Sequence, residues 1–81
     1  MQIREQIVRI FEEVARNQEK SLRPLKDDLI LLDSGLDSLC FAIIIARLED
    51  ELGRDPFSES DVAHFPNSFG EFVTLYQSAG A

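Results

Sequence analysis

Residues 33–53 read Asp33-Ser34-Gly35-Leu36-Asp37-Ser38-Leu39, then CFAIIIARLEDEL, then Gly53. A helix begins abruptly inside this stretch. Asp37 has the short acceptor side chain of an N-cap, Gly35 permits a turn before it, and apolar residues follow at once. The pattern predicts a helix from Ser38 to about Leu52, stopping at Gly53 with Pro56 soon after. Phe41, Ile44, Ile45, Leu48 and Leu52 fall at i, i+3, i+4, i+7 and i+11, one continuous stripe expected to face the core. Leu39, Ala42, Ile43 and Ala46 project roughly opposite, ending at Asp50. A second apolar face has no core to join in so small a chain. Leu39, Ile43, Ala46 and Asp50 are therefore a candidate docking surface, and an irregular bundle that buries both faces is the other reading.

The flanking sequence supplies further helices. From Gln2 to about Arg16, Ile3, Ile7, Ile10, Phe11, Val14 and Ala15 form an amphipathic stripe, with Arg4, Glu5, Arg9, Glu12 and Glu13 facing water. Asn17 to Leu36 is a long connection broken by Pro24 and rich in turn formers. Within it, Leu29-Ile30-Leu31-Leu32 has no β-like partner run, so irregular chain or one helical turn across the helix ends is expected. Connections this long are usually functional. Ser58-Glu59-Ser60-Asp61 opens a short helix carrying Val62, Ala63 and Phe65, which Pro66 ends. Ser68-Phe69-Gly70-Glu71 opens a last helix with Phe69, Phe72, Val73 and Tyr76 on one face; Gly70 weakens it by about 1 kcal/mol relative to Ala. The expected fold is an all-α four-helix bundle, three longer helices plus one short helix and a long first loop, forming one domain over residues 1–81.

Composition narrows the function. An 81-residue chain buries only about 60–65 % of its unfolded surface, so a deep water-excluded active site is hard to build. No run approaches the roughly 20 apolar residues of a membrane span, and MQIREQIVRI lacks the apolar run of a signal peptide. The single cysteine, Cys40, precludes an internal disulfide and fits a reducing, cytoplasmic setting. The net charge of −7 is unevenly spread: residues 1–26 hold six Lys/Arg against four Glu, whereas residues 27–81 hold eleven Asp/Glu against two Arg. The acidic part repels nucleic acid and anionic lipid, which excludes both as partners and points to basic protein surfaces. Simple solubility is the plainer account of that charge.

The chemistry centres on Ser38, a hydroxyl in the first turn of a helix. Backbone N–H groups are unpaired there and the helix dipole is positive, so a phosphodiester on Ser38 is well placed. No base accompanies it: the one histidine, His64, belongs to the short helix, and a Ser-His-Asp hydrolase needs an orienting acid and an oxyanion hole as well. Ser38 reads as a site modified by another enzyme, not as a nucleophile, and no catalytic residue is assigned.

Gly35-Leu36-Asp37-Ser38-Leu39 resembles the phosphopantetheine attachment motif of the acyl carrier protein family, whose core is Asp-Ser-Leu. The resemblance extends over nearly the whole chain: the Ser-led helix ending in Arg47-Leu48-Glu49-Asp50-Glu51-Leu52-Gly53, the following Pro56, a short acidic helix and an aromatic last helix. It implies a freestanding, monomeric carrier in which a phosphopantetheinyl transferase moves 4′-phosphopantetheine from coenzyme A to Ser38, with Asp37 assisting recognition. The arm's thiol would then hold an acyl or aminoacyl thioester for a loading enzyme and downstream synthases of fatty-acid, polyketide or related specialised biosynthesis. The resemblance further implies a tethered chain lodged between the second and third helices, where Phe41, Ile45, Val62 and Phe65 line or fill the space. Bulky Phe41 and Phe65 argue for a small or absent cavity and a short or exposed cargo. Members serving fatty-acid synthesis carry acidic residues where this chain has Cys40 and Ile43, which favours partners with a more apolar socket.

Other residues read plainly. Cys40 has no cationic neighbour in sequence to lower its pKa and reads as a partly buried, unreactive thiol. His64 lacks a metal-ligand partner at useful spacing. Asp33, Gly35 and Asp37 begin like a calcium loop, but Ser38 and Ile44 stand where it needs Gly and Glu. Ser34 competes as a modification site but lies outside the helix start. The rival function is a small acidic helical adaptor binding one protein partner through Leu39, Ile43 and Ala46.

Overall fold

Each helix forms where an apolar stripe meets a capping signal. The computed structural model describes residues 2–53, 56 and 66–78. Among these, α1 spans Ile3–Asn17, α2 Ser38–Leu52 and α3 Phe69–Ser78, with a 3₁₀ turn at Leu31–Asp33. No strand occurs among the described residues; Ile30 and Ser68 form a lone antiparallel bridge. The segment expected to form the short helix, with Val62, His64 and Phe65, lies outside the described residues.

Phe11 is the hub of the core. Its ring meets Phe69 and Phe72 edge-on at centroid distances of 5.2 and 5.3 Å, and Phe41 at 6.4 Å. Such edge contacts add to the area that each ring buries. Ile7, Ile10 and Val14 of α1, Ile44 and Leu48 of α2, and Val73 and Tyr76 of α3 complete the buried set. Ile45 and Leu52, expected in the stripe of α2, are only partly buried, whereas Cys40 joins the core. At the surface, Arg9 bonds Glu51 at 2.9 Å and Arg47 reaches Glu13. Residue 9 beside 51 and residue 13 beside 47 make α1 and α2 antiparallel.

Both long helices stop in left-handed backbone. Gly53 (φ 66°) ends α2, its amide donating to Glu49 O. At the end of α1 the Lys20 amide donates to Ala15 O at 2.8 Å and the Glu19 amide to Arg16 O at 3.2 Å, the paired bonds of a Schellman turn. Glu19 sits there at φ 57°, a conformation that costs a residue with a Cβ roughly 1–2 kcal/mol.

The connection after α1 runs the length of the bundle and returns. Asp27 lies by the start of α1, paired with Arg4 at 2.6 Å. There the Gly70 amide donates to Asp27 O at 3.0 Å and the Phe69 amide to Leu29 O at 2.8 Å, and the Leu31 amide donates to Asn67 O at 2.9 Å. The chain then climbs back, and Ser34 O accepts from the Arg23 amide at 3.0 Å. This contact explains Gly70, which sequence alone marked as a weakness: a Cβ at that position would lie 2.9 Å from Asp27 O. The entry to α3 is capped as expected, Ser68 Oγ accepting from the Glu71 amide at 3.2 Å, while Glu71 Oε2 accepts from the Asn67 amide at 3.1 Å.

Two substitutions test this account by thermal unfolding. Gly70→Ala should lower stability, although helix propensity alone predicts a gain of about 1 kcal/mol. Glu19→Gly should raise stability by roughly 0.5–1 kcal/mol, the relief of left-handed strain exceeding the entropy that glycine adds to the unfolded chain.

Candidate functional site at the start of the second long helix

The returning loop delivers residues 34–37 to the beginning of α2. Gly35 has φ 99°, and a Cβ on it would fall 2.1 Å from Ser21 O; only glycine lets the two loop segments meet here. Ser34 is fully buried (0 % exposed). Its hydroxyl donates to Leu31 O at 2.6 Å and accepts from the Leu36 amide at 3.4 Å. Ser34 therefore belongs to the loop's internal bonding and is closed to a modifying enzyme.

Asp37 is the N-cap. Its backbone is extended, and Oδ1 accepts from the Cys40 amide at 3.0 Å. Oδ2 lies 3.3 Å from Lys20 Nζ, which the Schellman turn brings over from the end of α1. The bond from the Cys40 amide, then those from the Cys40 thiol and Lys20, hold the Asp37 carboxyl at about 2, below its ordinary 3.8. The cap fixes the phase of the helix. Ser38 is its first residue and is exposed, whereas Cys40 is 1 % exposed. Cys40, expected as a partly buried thiol, lies in the core beside Phe41, Ile44 and Leu48, and burial pushes its thiol pKa up.

The proposed docking residues share one side of α2. Leu39 is 59 % exposed; Ala46 and Asp50 are exposed; Ile43 is half-buried. Leu32, in the 3₁₀ turn, is 84 % exposed and was not singled out by sequence, because helical periodicity says nothing about an irregular segment. Of the residues considered for cargo contact, Phe41 is buried edge-on against Phe11 and Ile45 is half-buried; Val62 and Phe65 lie outside the described residues. Among the described residues no group of His, Cys, Asp or Glu could hold a metal ion, and no helix is long and apolar enough to cross a membrane.

A helical domain presenting an exposed serine at a capped helix start has the architecture of a carrier domain. A family model for the phosphopantetheine attachment site matches residues 5–67, and the chain belongs to that family. The family carries covalently attached 4′-phosphopantetheine and serves as a carrier in concert with phosphopantetheinyl transferases and biosynthetic enzymes. No curated protein and no solved structure matches the chain. The start of α2 fits the group: an exposed hydroxyl lies at the positive end of a helix fifteen residues long, where an anion is favoured. The adjacent carboxylate of Asp37 is offset by Lys20.

Two measurements test this geometry. Because the Asp37 pKa is lower folded than unfolded, its contribution is complete above about pH 4 and is lost as pH falls toward about 2. Asp37→Asn retains a capping side chain and should remove that acid step from stability measured against pH. Cys40 should resist a thiol reagent in the folded protein and react once the chain is denatured.

Proposed function

We propose that this chain carries its phosphopantetheine on Ser38 and holds acyl, β-ketoacyl or aminoacyl intermediates as thioesters on the arm's thiol. The observation that supports this most is the contrast between the two serines of the motif. Ser38 is exposed at the first residue of α2, while Ser34 is sealed in the loop. In this reading the whole of residues 1–81 is one carrier domain, monomeric and cytoplasmic, contributing no catalytic group of its own. Asp37 serves the transferase by setting the helix start and presenting a carboxylate one residue before the acceptor hydroxyl.

Attachment needs nothing from this chain but an accessible nucleophile. The Ser38 hydroxyl attacks the β-phosphate of coenzyme A, 3′,5′-adenosine bisphosphate leaves, and the serine proton passes to a base of the transferase. Once attached, the phosphodiester meets the positive end of α2. Leu39, Ile43, Ala46 and Asp50 then meet loading enzymes and synthases. Their mostly apolar side chains favour an apolar socket with a basic edge toward Asp50, and the exposed Leu32 extends the apolar character into the loop.

Intact mass after co-expression with a phosphopantetheinyl transferase should rise by one phosphopantetheine. Ser38→Ala should abolish the increase and leave the fold intact. Ser34→Ala should keep the increase but lower thermal stability, since it removes a buried hydrogen bond worth about 1 kcal/mol and unpairs its partners. An unmodified wild-type protein after trial with several transferases would reject the reading. A helical adaptor acting through Leu39, Ile43 and Ala46 alone predicts no mass increase and unchanged partner binding in Ser38→Ala.

A further inference from the structure

An open groove of about 580 Å³ lies between α1 and the first limb of the long loop. Val8, Ala15, Leu22, Pro24 and Leu25 give it an apolar lining, and Arg16, Lys20 and Arg23 are its cations. The limb runs antiparallel to α1, so the cations gather at one end, by the finish of α1, while Val8 and Leu25 lie toward the other. Glu12 is the one carboxylate of the lining, one helical turn before Arg16. Arg16 and Arg23 form no ion pair with any described residue, although the protein carries a net charge of −7.

The cationic end abuts the attachment site. Lys20 lines the groove and also reaches Asp37 at 3.3 Å, the residue before Ser38. Three residues further along the limb, the Arg23 amide donates to Ser34 O. Lys20 and Arg23 thus tie the limb that lines the groove to the segment that presents the serine. A phosphopantetheine thioester has the matching order of chemistry: an anionic phosphodiester next to the serine, amides along the arm, and an apolar acyl chain at its far end. On α2, by contrast, Phe41 is buried edge-on against Phe11.

We infer that this groove receives the Ser38-tethered arm, its cations facing the phosphodiester and its apolar lining accepting a short uncharged acyl chain. The inference rests on Ser38 being the attachment site. It assigns cargo contact to Val8, Ala15, Leu22 and Leu25 on α1 and the loop, away from Ile45 and Phe41. The volume is within the range of about 300–1,000 Å³ typical of small-molecule sites, and the charge pattern selects an anion near the serine with an apolar tail beyond it.

The test compares backbone amide NMR shifts of the unmodified, phosphopantetheinylated and hexanoyl-phosphopantetheinylated protein, each confirmed by intact mass. The amides of Val8, Ala15, Leu22 and Leu25 should move on loading, more with hexanoyl than with the bare arm. Arg16→Gln with Arg23→Gln should reduce these changes several-fold while the circular dichroism melt stays unaltered. A mass-confirmed hexanoyl protein whose shifts are confined to α2 and residues 56–66 overturns the inference. Groove shifts that grow with concentration in the unmodified protein also overturn it, because they mark an interface between copies. Failure to gain mass removes the Ser38 reading itself, and so is distinguished from an empty groove on a loaded protein.

Discussion

The bond from the Cys40 amide to the Asp37 carboxylate governs both the core and the site. It fixes where α2 begins, and with about 100° between successive residues the start determines every later direction. Phe41, Ile44 and Leu48 then turn inward against α1, Cys40 joins them, and Ser38 and Leu39 turn outward. Rotating this helix by one residue would expose part of the aromatic cluster and draw the hydroxyl toward the interior. The stability of the bundle and the accessibility of the serine thus follow from one register, so Ser38 is held at the surface by the same packing that holds the protein together.

Around that register the charges are arranged in two sets. Arg9, Glu13, Arg47 and Glu51 link α1 to α2 along their exposed edges; exposed pairs of this kind contribute little individually and serve to favour one antiparallel alignment. Lys20 acts on the functional side. By pairing with Asp37 it offsets the negative charge that neighbours Ser38. A carboxylate suited to capping a helix would otherwise oppose a phosphodiester one residue away.

Much of this was legible in the residues, for reasons that differ by element. Asp37 and Gly53 bracket α2 because capping and left-handed termination are local preferences, and the helix spans Ser38–Leu52 as they indicate. The aromatic face of α3 was equally plain from spacing. The reason for Gly70 is not legible in its own neighbourhood, because it is the backbone of Asp27, more than forty positions away in sequence. Ser34 gave no sign of its burial, because its partners are loop carbonyl and amide groups that any sequence supplies. The full burial of Cys40 is not legible either: spacing from Phe41 defines a stripe but not its width, and this core is broad enough to take it. The groove between α1 and the loop could not be read at all, because its walls approach only after an irregular segment folds back.

The doubling back of the long loop has a consequence for the order of events in folding. Its far bend is tied by backbone bonds from Leu31 to Asn67, Phe69 to Leu29 and Gly70 to Asp27. Residues 1–53, including Ser38, can begin to pack before residues 67–70 dock. Until they do, the descending and ascending limbs lack their common anchor, and the serine belongs to a chain whose turn has not closed. The loop that leads into Ser38 therefore takes its final shape only when residues 67–70 have docked, so α3 conditions the geometry of a segment that precedes it in the chain.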